Sequence, residues 1–169
     1  MSRQRLLRWS IYFLELLLVF LLQQVPGLLP TIAGVRPVLL FPVAISIAMF
    51  EGELGGMTIG IATGFLVDFA GSSTIGFHCI VLAVLCFFIG RLTMHLIHTN
   101  FLTCLLCGFV FLIIVGGLQW LFGYVFRGYS AAGQALVSHY APKLLYTFCL
   151  LPISYFINRV FALRLAENE

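Results

Sequence analysis

Apolar runs that approach the length needed to cross a bilayer recur along the whole chain of 169 residues. A membrane-spanning helix needs about 20 mostly apolar residues, because each residue advances only about 1.5 Å. Hydrophobic residues make up 62% of the chain and charged residues 9%, whereas a soluble domain has roughly 25% charged residues. The sequence therefore predicts an all-α integral membrane protein that forms a single domain over residues 1–169.

The apolar runs and the breaks between them predict six transmembrane helices. Their approximate boundaries are 9–25, 36–50, 54–70, 75–92, 101–126 and 143–160. Glycine, proline and acidic residues mark the breaks, among them the turn Glu51-Gly52-Glu53. Pro42 lies inside the second span, where we expect it to kink the helix or to shift its start. The expected fold is a bundle of six transmembrane helices.

Basic residues are distributed unevenly between the two sides of the predicted bundle. Six spans place both termini on the same side of the membrane. Segments on that side carry Arg3, Arg5, Arg8, Arg91, Arg159 and Arg164, and segments on the other side carry Arg36, Arg127 and Lys143. By the positive-inside rule, both termini are predicted to be cytoplasmic. The basic residues form no dense patch, so nucleic-acid binding is not expected.

Four glycines and an aspartate follow one another at intervals of four residues, at Gly52, Gly56, Gly60, Gly64 and Asp68. Positions i and i+4 lie nearly above one another on a helix, so these residues form one stripe. In lipid, small residues at this spacing allow two helix backbones to approach closely. The stripe is therefore either a helix-packing surface within the chain or an interface for a partner's membrane helix, and the two can coexist.

Asp68 is an isolated carboxylate in the apolar segment FLVDFA. A carboxylate at membrane depth costs roughly 2.5–3.5 kcal/mol, so it is usually paired, neutralised or functional. Ser72 and Ser73 follow in the next loop, and His78 lies one turn into the fourth span. We predict a polar cluster of these residues at one membrane end, with an Asp68–His78 hydrogen bond. The cluster either holds the loop or contacts a ligand, an ion or a partner helix.

Two further polar residues interrupt long apolar spans, Glu15 in the first and Gln119 in the fifth. Arg8 is seven residues from Glu15, beyond the i+4 reach of an intrahelical pair. Both residues are predicted to form interhelical polar contacts, which commonly link membrane helices.

Motifs that carry catalysis or hold metals are missing from the sequence. It contains no Gly-x-Ser-x-Gly, no His-Glu-x-x-His and no phosphate-binding glycine loop. Cys104 and Cys107 have a redox or metal spacing, but they lie on an apolar helix, where cysteine behaves as a small hydrophobic residue. An enzyme would require residues from different spans to converge. We therefore expect no enzymatic activity, no catalytic residues, no cofactor and no metal.

Within the segment 36–91, Gly60, Gly64, Phe65 and Asp68 form the pattern G-x-x-x-G-F-x-x-D, and Ile75-Gly76 and Gly90-Arg91 follow it. This order of residues resembles the rod shape-determining MreD family. In that family a membrane helix reads approximately G-x-x-x-G-F-x-x-G-L-x-x-D, followed by a short loop, a Leu-Gly or Ile-Gly and later a Gly-[Arg/Lys].

The resemblance implies a compact six-helix bundle, similar to the substrate-binding subunits of energy-coupling-factor vitamin transporters. It also implies a non-catalytic scaffold in the bacterial inner membrane that supports side-wall peptidoglycan synthesis. The implied partners are MreC, MreB filaments, and RodA with its transpeptidase. The Gly56–Gly60–Gly64 face, or helices beside it, would then be a docking candidate for the membrane helix of MreC.

The alternative is a small-molecule binding subunit of a vitamin transporter, which has the same number of spans and the same expected fold. A ligand pocket of this kind is mostly apolar with a few convergent polar groups. Its predicted contributors are Asp68, His78, Trp120 and Tyr140.

Overall fold

The computed structural model describes residues 3–25, 27, 34–71, 76–95, 99–126, 133 and 136–166. These residues form no β-strand and five long helices: α1 (Arg3–Gln24), α2 (Leu40–Phe69), α3 (Phe77–His95), α4 (Phe101–Trp120) and α5 (Ala141–Ala166). Helix α4 continues into a π-helical turn, Leu121–Val125, and a second π-helical turn, Leu136–Tyr140, leads into α5. Each of the five helical regions includes a stretch long and apolar enough to cross a membrane.

Helix α2 is folded back on itself at Gly52. Gly52 has φ 77° and ψ −166°, a backbone conformation that costs glycine little because it has no Cβ. A Cβ added to Gly56 would lie 3.1 Å from the Cβ of Ala48, whereas eight residues of straight helix would separate these positions by about 12 Å. The helix therefore consists of a first arm, residues 40–51, and a second arm, residues 53–69.

The bend coincides with the turn predicted at Glu51-Gly52-Glu53, and the two arms correspond to the predicted second and third spans. The first arm has only about 12 residues and a length of roughly 18 Å, which is less than the ~30 Å hydrocarbon core. The all-helical membrane architecture is confirmed. Six complete spans and two cytoplasmic termini remain predictions.

Pro42 shifts the start of α2 rather than kinking its interior. The helix begins at Leu40, so Pro42 lies in the first turn. Amide groups in the first turn of a helix have no intrahelical acceptor, so the missing N–H of proline costs nothing there.

The polar groups around the bend are satisfied by neighbouring helices. The carbonyl of Met49 lies in the last turn of the first arm and accepts a hydrogen bond from Thr93 Oγ1 of α3 at 3.3 Å. Arg8 of α1 forms an ion pair with Glu51, and His95 of α3 lies 3.0 Å from Glu53. Since a helix end leaves backbone carbonyls without partners, these contacts allow the chain to turn inside the bundle.

The first arm forms the centre of the bundle. Its residues from Leu40 to Met49 are all buried, and α2 contacts α1, α3, α4 and α5. The ring of Phe41 packs edge-on against Phe111 of α4, with centroids 6.1 Å apart. This fully buried segment is thus enclosed by the other helices.

Helices α4 and α5 approach each other through two glycines of α4. A Cβ added to Gly108 would collide with the side chain of Leu151, and one added to Gly116 would lie 2.7 Å from Leu144 Cδ1. This contact joins α5 to the bundle at two points that are about two turns apart.

Candidate functional site

The glycine stripe of the second arm packs against the backbone of α3. A Cβ on Gly56 would lie 2.6 Å from the carbonyl oxygen of Cys86, and one on Gly60 would lie 2.5 Å from that of Leu82. A Cβ on Gly64 would collide with the Cα of Cys79. Side chains at these positions would force the two helices apart, so the stripe lets their backbones touch.

Gly52 belongs to the same contact at the other end of α3. A Cβ added to Gly90 would collide with the carbonyl oxygen of Gly52, so the bend itself approaches α3 through a glycine. A Cβ on Gly52 would lie 2.6 Å from the terminal methyl group of Met94.

Of the two interpretations of the stripe, packing within the chain is the one that the structure contains. All four glycines of the stripe are buried, and α3 covers them. A partner's membrane helix that docks directly on the Gly56–Gly60–Gly64 face would have to displace α3, and docking of a partner on this face or on helices beside it stays a prediction. The helices beside this face keep exposed apolar surfaces.

Asp68 links the end of α2 to the start of α3. Its carboxylate accepts hydrogen bonds from the backbone N–H of Gly76 at 2.7 Å and from the Nδ1 of His78 at 2.6 Å. The backbone N–H groups of His78 and Cys79 also lie 3.4 Å from it. A carboxylate beside the first N–H groups of a helix satisfies donors that have no partner and interacts favourably with the helix dipole.

The expected Asp68–His78 hydrogen bond is present, and it extends to α4. The Nε2 of His78 contacts the side-chain amide nitrogen of Gln119. Both contacts are satisfied by a neutral imidazole that donates from Nδ1 to Asp68 and accepts at Nε2 from Gln119. Consecutive hydrogen bonds thereby join side chains of α2, α3 and α4. Both Asp68 and His78 are buried. Gln119 forms the interhelical contact expected of it.

Ser72 and Ser73, the other predicted members of the polar cluster, lie outside the described residues. The described part of the cluster holds the ends of three helices together. Contact of the cluster with a ligand, an ion or a partner helix stays a prediction.

Glu15 takes part in a second polar contact. The side-chain amide of Asn158 on α5 donates to Glu15 Oε1 at 3.0 Å and to Ser46 Oγ at 2.9 Å. These bonds join α1, α2 and α5. Glu15 Oε2 and Asn158 Oδ1 are buried and make no hydrogen bond within the described residues. The predicted interhelical role of Glu15 agrees with this geometry, and Asn158 is its principal partner.

Replacing Asn158 with leucine is expected to lower the free energy of unfolding by about 1–3 kcal/mol, because Glu15 and Ser46 lose a buried donor. Thermal unfolding of the purified protein in detergent measures the effect. Ser154→Ala is the matched control, since within the part of the chain that the structure describes Ser154 Oγ bonds only to the Leu150 carbonyl one turn away. Equal stability of the two variants would mean that the link between α1, α2 and α5 contributes nothing.

A cavity lies at the end of the bundle that contains Asp68. Of the four residues predicted to form a ligand pocket, His78 and Tyr140 line it, whereas Asp68 and Trp120 do not. Gln23 and Lys143 line it as well, and these two were not predicted. Glutamine and lysine near helix ends are common wherever a helix meets water, so their sequence positions give no signal of a cavity.

The described residues bring together no group of three or more histidine, cysteine, aspartate or glutamate side chains suited to a metal. All five cysteines are free, and Cys104 is fully buried on the apolar α4. The buried polar contacts described above, those of Asp68 with His78 and of Glu15 with Asn158, connect one helix to another.

This fold and these contacts define a polytopic helical membrane protein in which buried polar side chains link the helices to one another. The family model described as rod shape-determining protein MreD matches residues 3–164. The chain therefore belongs to the MreD family, whose role is in determining rod shape. No curated protein and no solved structure matches the chain.

Proposed function

We propose that this protein is a non-catalytic scaffold of the cell-wall elongation machinery in the bacterial inner membrane. The observation that carries the proposal is the family match over residues 3–164, nearly the whole chain. Polar side chains at membrane depth support it, because Asp68, His78 and Gln119, and likewise Glu15 and Asn158, form hydrogen bonds between helices. A scaffold needs a rigid body with free outer surfaces.

The proposed partners are MreC, through its membrane helix, together with MreB and with RodA and its transpeptidase. Because α3 covers the glycine stripe, we place the partner surface on the exposed apolar faces of the helices. Large apolar side chains are exposed along α1, α3, α4 and α5, including Leu18, Val84, Leu106 and Ile157. In a membrane such faces contact either lipid tails or another helix.

Affinity purification from a mild detergent extract tests the scaffold role. The tagged protein, expressed at its normal level, is expected to recover MreC and the wall synthases. A tagged membrane protein of similar size and unrelated function serves as the control for nonspecific recovery. Recovery of an energy-coupling ATPase module instead would contradict the proposal and favour the vitamin-transporter alternative.

A further inference from the structure

The cavity at the Asp68 end of the bundle has the dimensions of a ligand site. Its volume is about 390 Å³, and its lining includes residues from all five helices. Pockets for small molecules typically measure about 300–1,000 Å³ and combine apolar walls with a few placed polar groups.

The polar groups of the lining favour an anion. Lys143, at the start of α5, is the only residue with a permanent charge among the described residues that line the cavity, and no aspartate or glutamate lines it with them. Placing an ammonium group in such a site is costly unless a counter-charge is present. Among the described residues, no ion pair involves Lys143.

Asp68 does not supply that counter-charge. Both of its carboxylate oxygens are engaged by His78 and by the backbone of Gly76. It also lies outside the cavity lining.

After the ammonium group of Lys143, the side chain of Gln23 is the second polar group of the lining that lacks a partner among the described residues. Its side-chain carbonyl oxygen is buried and has no hydrogen-bond partner within the described residues, yet Gln23 lines the same cavity as Lys143. A buried acceptor without a donor costs about 1–3 kcal/mol. A ligand with a hydroxyl or amide N–H group would remove that cost.

Aromatic side chains form the apolar part of the wall. Phe41, Phe77 and Phe122 line the cavity, and the rings of Phe77 and Phe122 are in contact, with centroids 5.1 Å apart. The described lining therefore offers a cation at Lys143, a buried acceptor without a partner at Gln23, and an aromatic surface.

We propose that this cavity binds an anionic group, a phosphate or a carboxylate, that carries hydroxyl or amide donors and is joined to an apolar body. Lys143 binds the anion, Gln23 accepts a hydrogen bond from the donor, and the phenylalanines contact the apolar portion. Such a group can belong to a membrane lipid or to a water-soluble compound. The site is separate from the exposed helix faces proposed for partner proteins, so either proposal can fail alone.

Three probes added to the purified full-length protein in a neutral detergent test this inference: short-chain phosphatidylglycerol, phosphatidylcholine of equal chain length, and glycerol 3-phosphate. Native mass spectrometry and thermal unfolding report binding. Phosphatidylglycerol is expected to bind about tenfold or more tightly than phosphatidylcholine, a difference of about 1.4 kcal/mol. If the group belongs to a soluble compound, glycerol 3-phosphate binds as well.

Lys143→Met is expected to weaken binding of the anionic probe about tenfold, and Gln23→Leu to weaken it to a smaller extent. Arg91→Met is the matched control, because it also removes one positive charge but lies on α3 outside the cavity. The unfolding temperature of each variant without probe shows that it is folded. Equal binding of all probes, or undiminished binding to folded Lys143→Met, would overturn the proposal.

Discussion

Replacement of Asp68 by leucine is expected to lower the free energy of unfolding by about 2–6 kcal/mol, because two buried donors lose their acceptor at a cost of about 1–3 kcal/mol each. The substitution leaves the Nδ1 of His78 and the backbone N–H of Gly76 without their acceptor. Both groups lie where α3 begins, so the start of that helix should fray. Thermal or denaturant unfolding in detergent measures the loss, and the amount of protein in the membrane should fall with it.

Asp68→Asn removes the charge and one of the two acceptors, since asparagine keeps one oxygen and has a donating NH2 group in place of the other. Its cost should be smaller than that of leucine, because one of the two hydrogen bonds can still form. If Asp68→Leu is as stable as the wild type, the carboxylate does not hold α2 to α3. Equal large losses for both variants would mean that a single acceptor oxygen is not enough to hold the start of α3.

Replacement of Gly60 by alanine is expected to destabilise the protein by about 3 kcal/mol, at the upper end of overpacking costs. The added methyl group would lie 2.5 Å from the carbonyl oxygen of Leu82 and 2.9 Å from the Cα of Ala83. These are backbone atoms, so relief requires α3 as a whole to move. Gly64→Ala should behave in the same way, because its methyl group would collide with the backbone of Cys79.

Gly117→Ala is the matched control for this pair. Gly117 lies inside α4, and a Cβ there would have no neighbour within 4 Å. The exchange should be neutral or should stabilise the helix by up to about 1 kcal/mol. If Gly60→Ala and Gly117→Ala unfold at the same temperature, close contact between the second arm and α3 is not needed for stability.

The features that were predictable from the sequence follow from local patterns. Length and apolarity predict the membrane helices, and the four-residue spacing from Gly52 to Gly64 predicts a close contact. Asp68 and His78 are ten residues apart across one short loop, so a helical hairpin brings them together. In each case the information lies within a short stretch of chain.

What could not be predicted depends on how distant segments meet. Gly56 could face either α3 or a partner, because a stripe of glycines on a helix has the same sequence pattern whether the neighbouring helix belongs to the same protein or to a partner. Asn158 meets Glu15 across 143 residues, and either could have paired elsewhere. Gln23 and Lys143 come to one cavity only because α1 ends where α5 begins. The arrangement of helices decides these contacts.

The covered glycine stripe changes where partners are to be sought. Because α3 covers the stripe, the proposed scaffold must present surfaces other than this segment to its proposed partners. Loss of rod shape on mutation of the stripe would then reflect loss of the folded protein, and it should be accompanied by low abundance. Substitutions at a true docking surface should instead abolish shape while the protein remains abundant and stable.

In vivo photo-crosslinking tests the scaffold account most directly. A photoreactive amino acid is placed singly at exposed positions, one on each helix: Leu18, Phe65, Val84, Leu106 and Ile157. Only variants that sustain rod shape are analysed. We predict that at least one of these positions gives a covalent adduct with MreC or a wall synthase. If every position reacts with lipid alone in rod-shaped cells, the protein does not bind its complex through these helix faces, and the scaffold account is contradicted.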